Sequence, residues 1–241
     1  MSVLSQLFLS LMCCDLMSFP FSSARHSQTP FLEIFISRSM SLTFFFVLVH
    51  SIISKNRNFF GDAMRITAIS GSPRVEGVTN SILLDILEKG AEKGHFGKVV
   101  VLNRLELHGC QACGYCRKEG DKCAVDDKLS ALIEELPDTN MVLIGSPVYM
   151  GNVSAQLKMF LDRLYCLKDA ARKPRLAPKR ALLVFSQGAP DKAYYKDMMN
   201  QVKKTLDSYN LLVEDIIVAA GPDYKEDPEV KEKVEHFCST F

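Results

Sequence analysis

The sequence predicts an α/β protein: a doubly wound, five-stranded parallel sheet with helices on both faces. Three observations predict it. Five short runs of β-branched and apolar residues alternate with five stretches of amphipathic helical spacing. Gly, Pro and Asn punctuate nearly every boundary. Strand–helix–strand order then requires crossovers, and crossovers require a parallel sheet covered on both sides. With 241 residues, 47% of them apolar and 24% charged, the chain has material for a sizeable core.

Each element follows in order. RITAIS (65–70) is an alternating strand, and SGSPRVEGVTN (70–80) is a Gly/Pro/Ser/Asn loop. A helix follows with Ile82, Leu83, Ile86 and Leu87 on one face, closed by Gly90 or Gly94. KVVVLNRL (98–105) is a buried-type strand leading into a cysteine-rich loop insertion (110–123). DDKLSALIEELPD is a helix stopped at Pro137. MVLIGSPVY (141–149) starts as an apolar strand and is expected to break at Gly145-Ser146-Pro147. NVSAQLKMFLDRLY is helical, with Val153, Leu157, Phe160, Leu161 and Leu164 on one side. RALLVFSQG (180–188) is a strand, residues 191–210 a helix, 211–221 the last strand, and the acidic tail (223–241) ends in a short helix. Two strand orders fit this pattern, the Rossmann-like and the flavodoxin-like.

Residues 1–63 read differently. They hold ten of the fifteen phenylalanines, only seven charged residues, and no sustained period. LTFFFVLVHSII is short of the about 18 apolar residues a membrane span needs and contains His50. A secretory signal should begin with basic residues, yet none precedes Arg25. The reading that remains is a non-native or disordered upstream extension, with Met64 as initiator and 64–241 as the domain. The net charge of +1, with no basic run interleaved with aromatics, excludes a nucleic-acid surface as the basis of function.

In doubly wound sheets ligands bind beyond the carboxyl ends of the strands. The loop 70–80 lacks the GxGxxG and GK[ST] patterns but brings hydroxyls (Ser70, Ser72, Thr79), a cation (Arg74), an amide (Asn80) and a helix N-terminus. Those groups suit a terminal phosphate monoester. They equally suit a helix cap at Thr79 and a turn at Ser72-Pro73.

The second loop bears on that choice. SGSPR together with GSPVYMGNVSAQLKMFLDR (145–163) resembles the NAD(P)H-dependent FMN reductase group of flavodoxin-like proteins, in matching order over roughly residues 64–220. The resemblance implies strand order 2-1-3-4-5 and an FMN whose phosphate is held by Ser70, Ser72, Arg74, Thr79 and Asn80. It implies that Pro147, Val148, Tyr149, Gly151 and Asn152 line the flavin ring, with Gln187 and Gly188 as further candidates; Tyr149 reads equally well as a packing aromatic. Gly151 would let backbone approach the ring closely. Relatives often carry Asn where this chain has Val78, which removes one phosphate contact that Asn80 could replace.

Cys110, Cys113, Cys116 and Cys123 are spaced C-x2-C-x2-C-x6-C. Three sulfurs at two-residue gaps can wrap one small object, as in a ferredoxin run, though here Ala124 and not proline follows the fourth. Zinc is the rival, although its knuckles are ordinarily set further apart. Disulfides are disfavoured in a cytoplasmic setting. A loop of cysteines without metal is the remaining reading. The spacing resembles that of the iron–sulfur flavoprotein subgroup, which implies a [4Fe–4S] cluster on these four cysteines. His108 reads as a loop residue, Lys118 and Lys122 as solvated charges able to offset a cluster's negative charge, and Cys166 and Cys238 as isolated structural thiols.

The expected function is electron transfer between the cluster and FMN, from a ferredoxin-like donor or NAD(P)H to a two-electron acceptor, in a cytoplasmic homodimer or homotetramer. No residue is assigned as a catalytic acid or base. The alternatives are an NAD(P)H-dependent FMN or quinone reductase without a cluster, and a zinc-stabilised binding module.

Overall fold

A computed structural model describes residues 63–241, so the reading of 1–63 as an extension lies, but for Ala63, outside the described residues. The strands are β1 (Arg65–Ser70), β2 (Phe96–Val101), β3 (Met141–Tyr149), β4 (Asn152–Val153), β5 (Lys179–Gln187) and β6 (Leu211–Ala220). Five of them pair in parallel in the order β2-β1-β3-β5-β6; the two-residue β4 folds back antiparallel on the end of β3. With β4 set aside, the five parallel strands run 2-1-3-4-5, as the resemblance implies.

The helices are α1 (Val78–Glu92), α2 (Tyr115–Lys118), α3 (Lys128–Glu135), α4 (Ala155–Arg163), α5 (Lys196–Asp207) and α6 (Pro228–Ser239). Side chains alternate across each strand, so the sheet feeds two separate cores. Ile66, Leu143, Leu182 and Val184 pack with Ile82, Leu83 and Ile86 of α1 and with Val230, Val234 and Phe237 of α6. Ile69, Val142, Ile144, Leu183 and Phe185 pack on the other face with Leu129 and Ile133 of α3, Leu157 and Phe160 of α4, and Val202 and Leu206 of α5. Among the described residues no helix is long and apolar enough to cross a membrane.

Several boundaries differ from the sequence reading. The third strand does not break at 145–147: pairing with β5 continues through Pro147↔Ser186. Gly145 serves close packing there, since a Cβ would stand 2.6 Å from Thr79 Cγ2. The second strand ends at Val101 in a 3-10 turn (Leu102–Arg104). Of the two closures the sequence offers for α1, Gly90 lies inside the helix and the chain leaves it through Gly94, at φ +84°. The helix expected from residue 191 begins only at Lys196.

Candidate functional site

The connection from β1 runs to β2 on one side, and that from β3 to β5 on the other, so a crevice opens at the carboxyl ends of β1 and β3. In the loop after β1, the Ser72 hydroxyl accepts the Arg74 N–H and donates to the Arg74 carbonyl, each at 3.2 Å. Asn80 Nδ2 donates to the Arg74 and Val75 carbonyls at 2.7 and 3.0 Å, and its Oδ1 accepts from the Ser70 hydroxyl. Ser70 also accepts the Ser72 N–H at 3.1 Å. Ser70 and Asn80 thus spend their side chains shaping the loop from behind.

That loop delivers an uncapped helix. The N-cap of α1 is Gly77, which contributes no side-chain bond. Thr79 is not the cap; it lies in the first turn, with its hydroxyl 2.7 Å from the Ser186 hydroxyl. The first-turn N–H groups therefore face the crevice without side-chain acceptors, and the exposed Arg74 guanidinium has no hydrogen-bond or ion-pair partner among the described residues. An anion fits both features.

The far wall is the β3–β4 hairpin. Tyr149 pairs with Asn152 across Met150 (φ +50°) and Gly151 (φ +74°), a turn with positive φ at both central residues. Gly151 suits that geometry; Met150, fully exposed, bears strain a side chain ordinarily avoids. The Ser146 hydroxyl accepts the Ser154 N–H at 3.0 Å, and the Ser154 hydroxyl donates to the Gly71 carbonyl at 2.7 Å. The Ser154 hydroxyl thus fastens this hairpin to the loop after β1, and Ser146 holds Ser154 in place.

Between the walls is a cleft of about 310 Å³. Ser72, Arg74, Thr79, Pro147, Val148, Tyr149, Gln187 and Gly188 line it. Gly151 and Asn152 stand on the hairpin at its edge. Gln187 is buried, with Nε2 donating to the Ala189 and Asp191 carbonyls at 3.0 and 2.7 Å, while its Oε1 has no partner among the described residues. A buried orphan acceptor in a cleft wall calls for a donor from a ligand, and a flavin ring carries an N–H of that kind. The residues fit FMN. Sequence reasoning missed Ser186, Ser154, Gly221 and Pro222. Ser154 was open to detection as an N-cap before an apolar run; a serine inside the apolar strand was the one sign of Ser186.

The cysteine loop lies between β2 and α3. Ala112 (φ 52°) and Gly114 (φ 74°) curl it. Cys110 and Cys113 are exposed, Cys123 is half-buried and Cys116 is buried. Burial first, and then the neighbouring Cys123, Cys113 and Cys110, push up the Cys116 pKa. The sulfurs are neighbours, yet among the described residues no three His, Cys, Asp or Glu stand close enough to hold a metal ion. The donor set, four thiols on one curled loop, fits an iron–sulfur cluster in chemistry, although its coordination geometry is not assembled. Cys166 is not isolated as expected: burial, Cys123 and Cys116 push its pKa up to about 12, and it lines a depression together with Cys123. His108 is exposed, its ring 3.6 Å from Asp127.

Comparison with known proteins agrees with this geometry. The chain is 40% identical over 100 residues to an iron–sulfur flavoprotein of Methanocaldococcus jannaschii, covering 42% of this chain and 51% of that protein. It is 38% identical over 105 residues to an iron–sulfur flavoprotein of Methanosarcina thermophila, covering 44% and 54%. The chain thus spans about half the length of these curated relatives. An NADH:FMN oxidoreductase solved in its apo form shares the fold, with TM-score 0.52 and 18% identity over 74% of this chain and 90% of that one. The family described as NADPH-dependent FMN reductase matches residues 64–213, and the chain belongs to that family.

Proposed function

We propose that the protein is an FMN-dependent oxidoreductase of the iron–sulfur flavoprotein type. It would carry electrons between a [4Fe–4S] cluster on Cys110, Cys113, Cys116 and Cys123 and an FMN in the cleft. The observation that carries this reading is the conjunction, on one chain, of a four-thiol loop with a cleft whose helix end, free cation and orphan amide oxygen suit FMN. Relatives named iron–sulfur flavoproteins support it.

Each residue's part follows from its contacts. The α1 N-terminus and Arg74 bind the phosphate, and Ser72 holds Arg74's backbone in place. Thr79 and Ser186 join the two sides of the cleft floor, and Gln187 Oε1 accepts from the ring. Pro147, Val148 and Tyr149 give the ring an apolar wall. What the two groups supply when bound is one-electron exchange at iron and two-electron storage at flavin. The electron donor is a ferredoxin-like protein or NAD(P)H, the assembly a homodimer or homotetramer in the cytoplasm, and the working domain begins near Met64.

A second reading is an NAD(P)H-dependent FMN or quinone reductase without a cluster. The thiols' failure to gather into a metal site favours it. Purification without oxygen, with assays of FMN, iron and acid-labile sulfide, separates the two. About four irons and one FMN per chain, with broad absorbance that bleaches on reduction, supports the first. FMN without iron after attempted reconstitution leaves the second.

A further inference from the structure

Arg163 ends α4 with its side chain wholly buried. A buried guanidinium is costly unless its donors are matched. Its Nη1 donates to the His108 carbonyl at 2.8 Å and to Asp127 Oδ2 at 3.0 Å. Its Nη2 donates to Asp127 Oδ1 at 3.0 Å, to the Val125 carbonyl at 3.1 Å and to the Ser130 hydroxyl. His108 stands two residues before Cys110, and Val125 two residues after Cys123. One planar fork therefore grips both ends of the cysteine loop. Asp127 tightens the grip by accepting the His108 N–H at 3.1 Å and the Ser130 N–H at 2.9 Å. Among the described residues the buried Nε of Arg163 has no partner, and the Cys123 side chain lies against the same guanidinium.

We infer that Arg163 is the positioning residue of the cysteine loop: it fixes the separation of the loop's two ends and offers its remaining N–H to the Cys123 sulfur. The inference rests on the reading that these cysteines hold a cluster. Lysine would keep the charge but not the planar fork, so it could not hold both ends at once. A buried N–H and a positive charge beside a ligand sulfur favour the more negative, reduced state of a cluster, and so raise its potential.

The test compares the full chain with R163K and D127N. The first readout is amide hydrogen exchange on iron-free protein. Peptides covering residues 106–128 should exchange at least about tenfold faster in both variants, while β1, β3 and β5 peptides remain protected over the same labelling times. The second readout is taken on protein reconstituted with iron and sulfide. R163K should lose iron to a chelator at least about tenfold faster and show a lower cluster reduction potential, with FMN content unchanged. Unchanged loop exchange in both variants overturns the clamp. So does lost protection across the sheet in both, which would make the pair a core element. Unchanged chelation rate and potential in R163K overturn the contact with Cys123. A parent chain that takes up no iron sinks the proposed function, and the exchange comparison still decides whether Arg163 holds the loop.

Discussion

Ser154 and Gly71 lock the β3–β4 hairpin to the loop after β1: the Ser154 hydroxyl donates to the Gly71 carbonyl at 2.7 Å, and a Cβ on Gly71 would stand 2.6 Å from the Ser154 hydroxyl oxygen. The same Cβ would be 2.7 Å from Leu157 Cβ, so neither the hydroxyl nor the helix behind it has room to give. Gly71→Ala should destabilise the fold by roughly 2 to 3 kcal/mol and lower FMN content. Ser154→Ala should cost about 1 to 2 kcal/mol, because it removes both this bond and the α4 N-cap to the Leu157 N–H. Urea unfolding and flavin assay of both variants check this. A Gly71→Ala protein as stable as the parent, and with full flavin, would refute the close approach.

Arg74 is exposed, and among the described residues its guanidinium is committed to no other side chain. Arg74→Ala should therefore leave stability unchanged while raising the FMN dissociation constant about 10- to 30-fold, the loss of one charge-assisted contact. Flavin fluorescence quenching measures it. Riboflavin, which lacks the phosphate, should bind parent and variant alike; an equal loss for both ligands would move the phosphate elsewhere.

The sheet was legible because its strands carry their own signal: β1 and β5 are apolar runs between turn residues, and the observed limits agree to within a residue. The expected break in β3 was a misreading of Gly145 and Pro147. Glycine there admits Thr79 and Leu83 of α1, a tertiary contact that leaves no trace in the local sequence. Chemistry-bearing residues were visible as types, but not which way they point. Asn80 and Ser70 turned inward because the loop's own carbonyls and N–H groups needed partners. The Arg163–Asp127 pair joins residues 36 apart, and no spacing rule announces it.

The cysteines should differ sharply in reactivity when the protein carries no iron. Cys110 and Cys113 are exposed, whereas burial pushes Cys166 up to about 12 and Cys238 up to about 11. The thiolate is the reacting species, so brief iodoacetamide treatment near pH 8 should modify Cys110 and Cys113 and spare Cys116, Cys166 and Cys238. Peptide mass spectrometry reads the order. With iron and sulfide loaded, the first two should also become protected; continued labelling at full iron content would remove them from the ligand set.

Asp127 makes the loop anchor sensitive to acid. Burial alone would raise its pKa, but the Arg163 hydrogen bonds and the Ser130 and His108 N–H groups outweigh it and hold the carboxyl at about 2. In the unfolded chain an aspartate titrates near ~3.9. The folded state therefore keeps a carboxylate where the unfolded state has already bound a proton, and the stabilisation is complete above the unfolded value. It fades as pH falls from about 4 through 2. The full contribution is roughly 2 kcal/mol, of which about 1 kcal/mol is gone by pH 3. Asp127→Asn lacks this titration and leaves Arg163 without its counter-charge, so it should be several kcal/mol less stable at pH 7. Its deficit relative to the parent should narrow by about 1 kcal/mol between pH 7 and pH 3, since every other carboxylate is common to both proteins. Urea unfolding of the pair across that range measures the deficit directly, and a deficit that stays constant with pH would mean that Asp127 is not the group titrating.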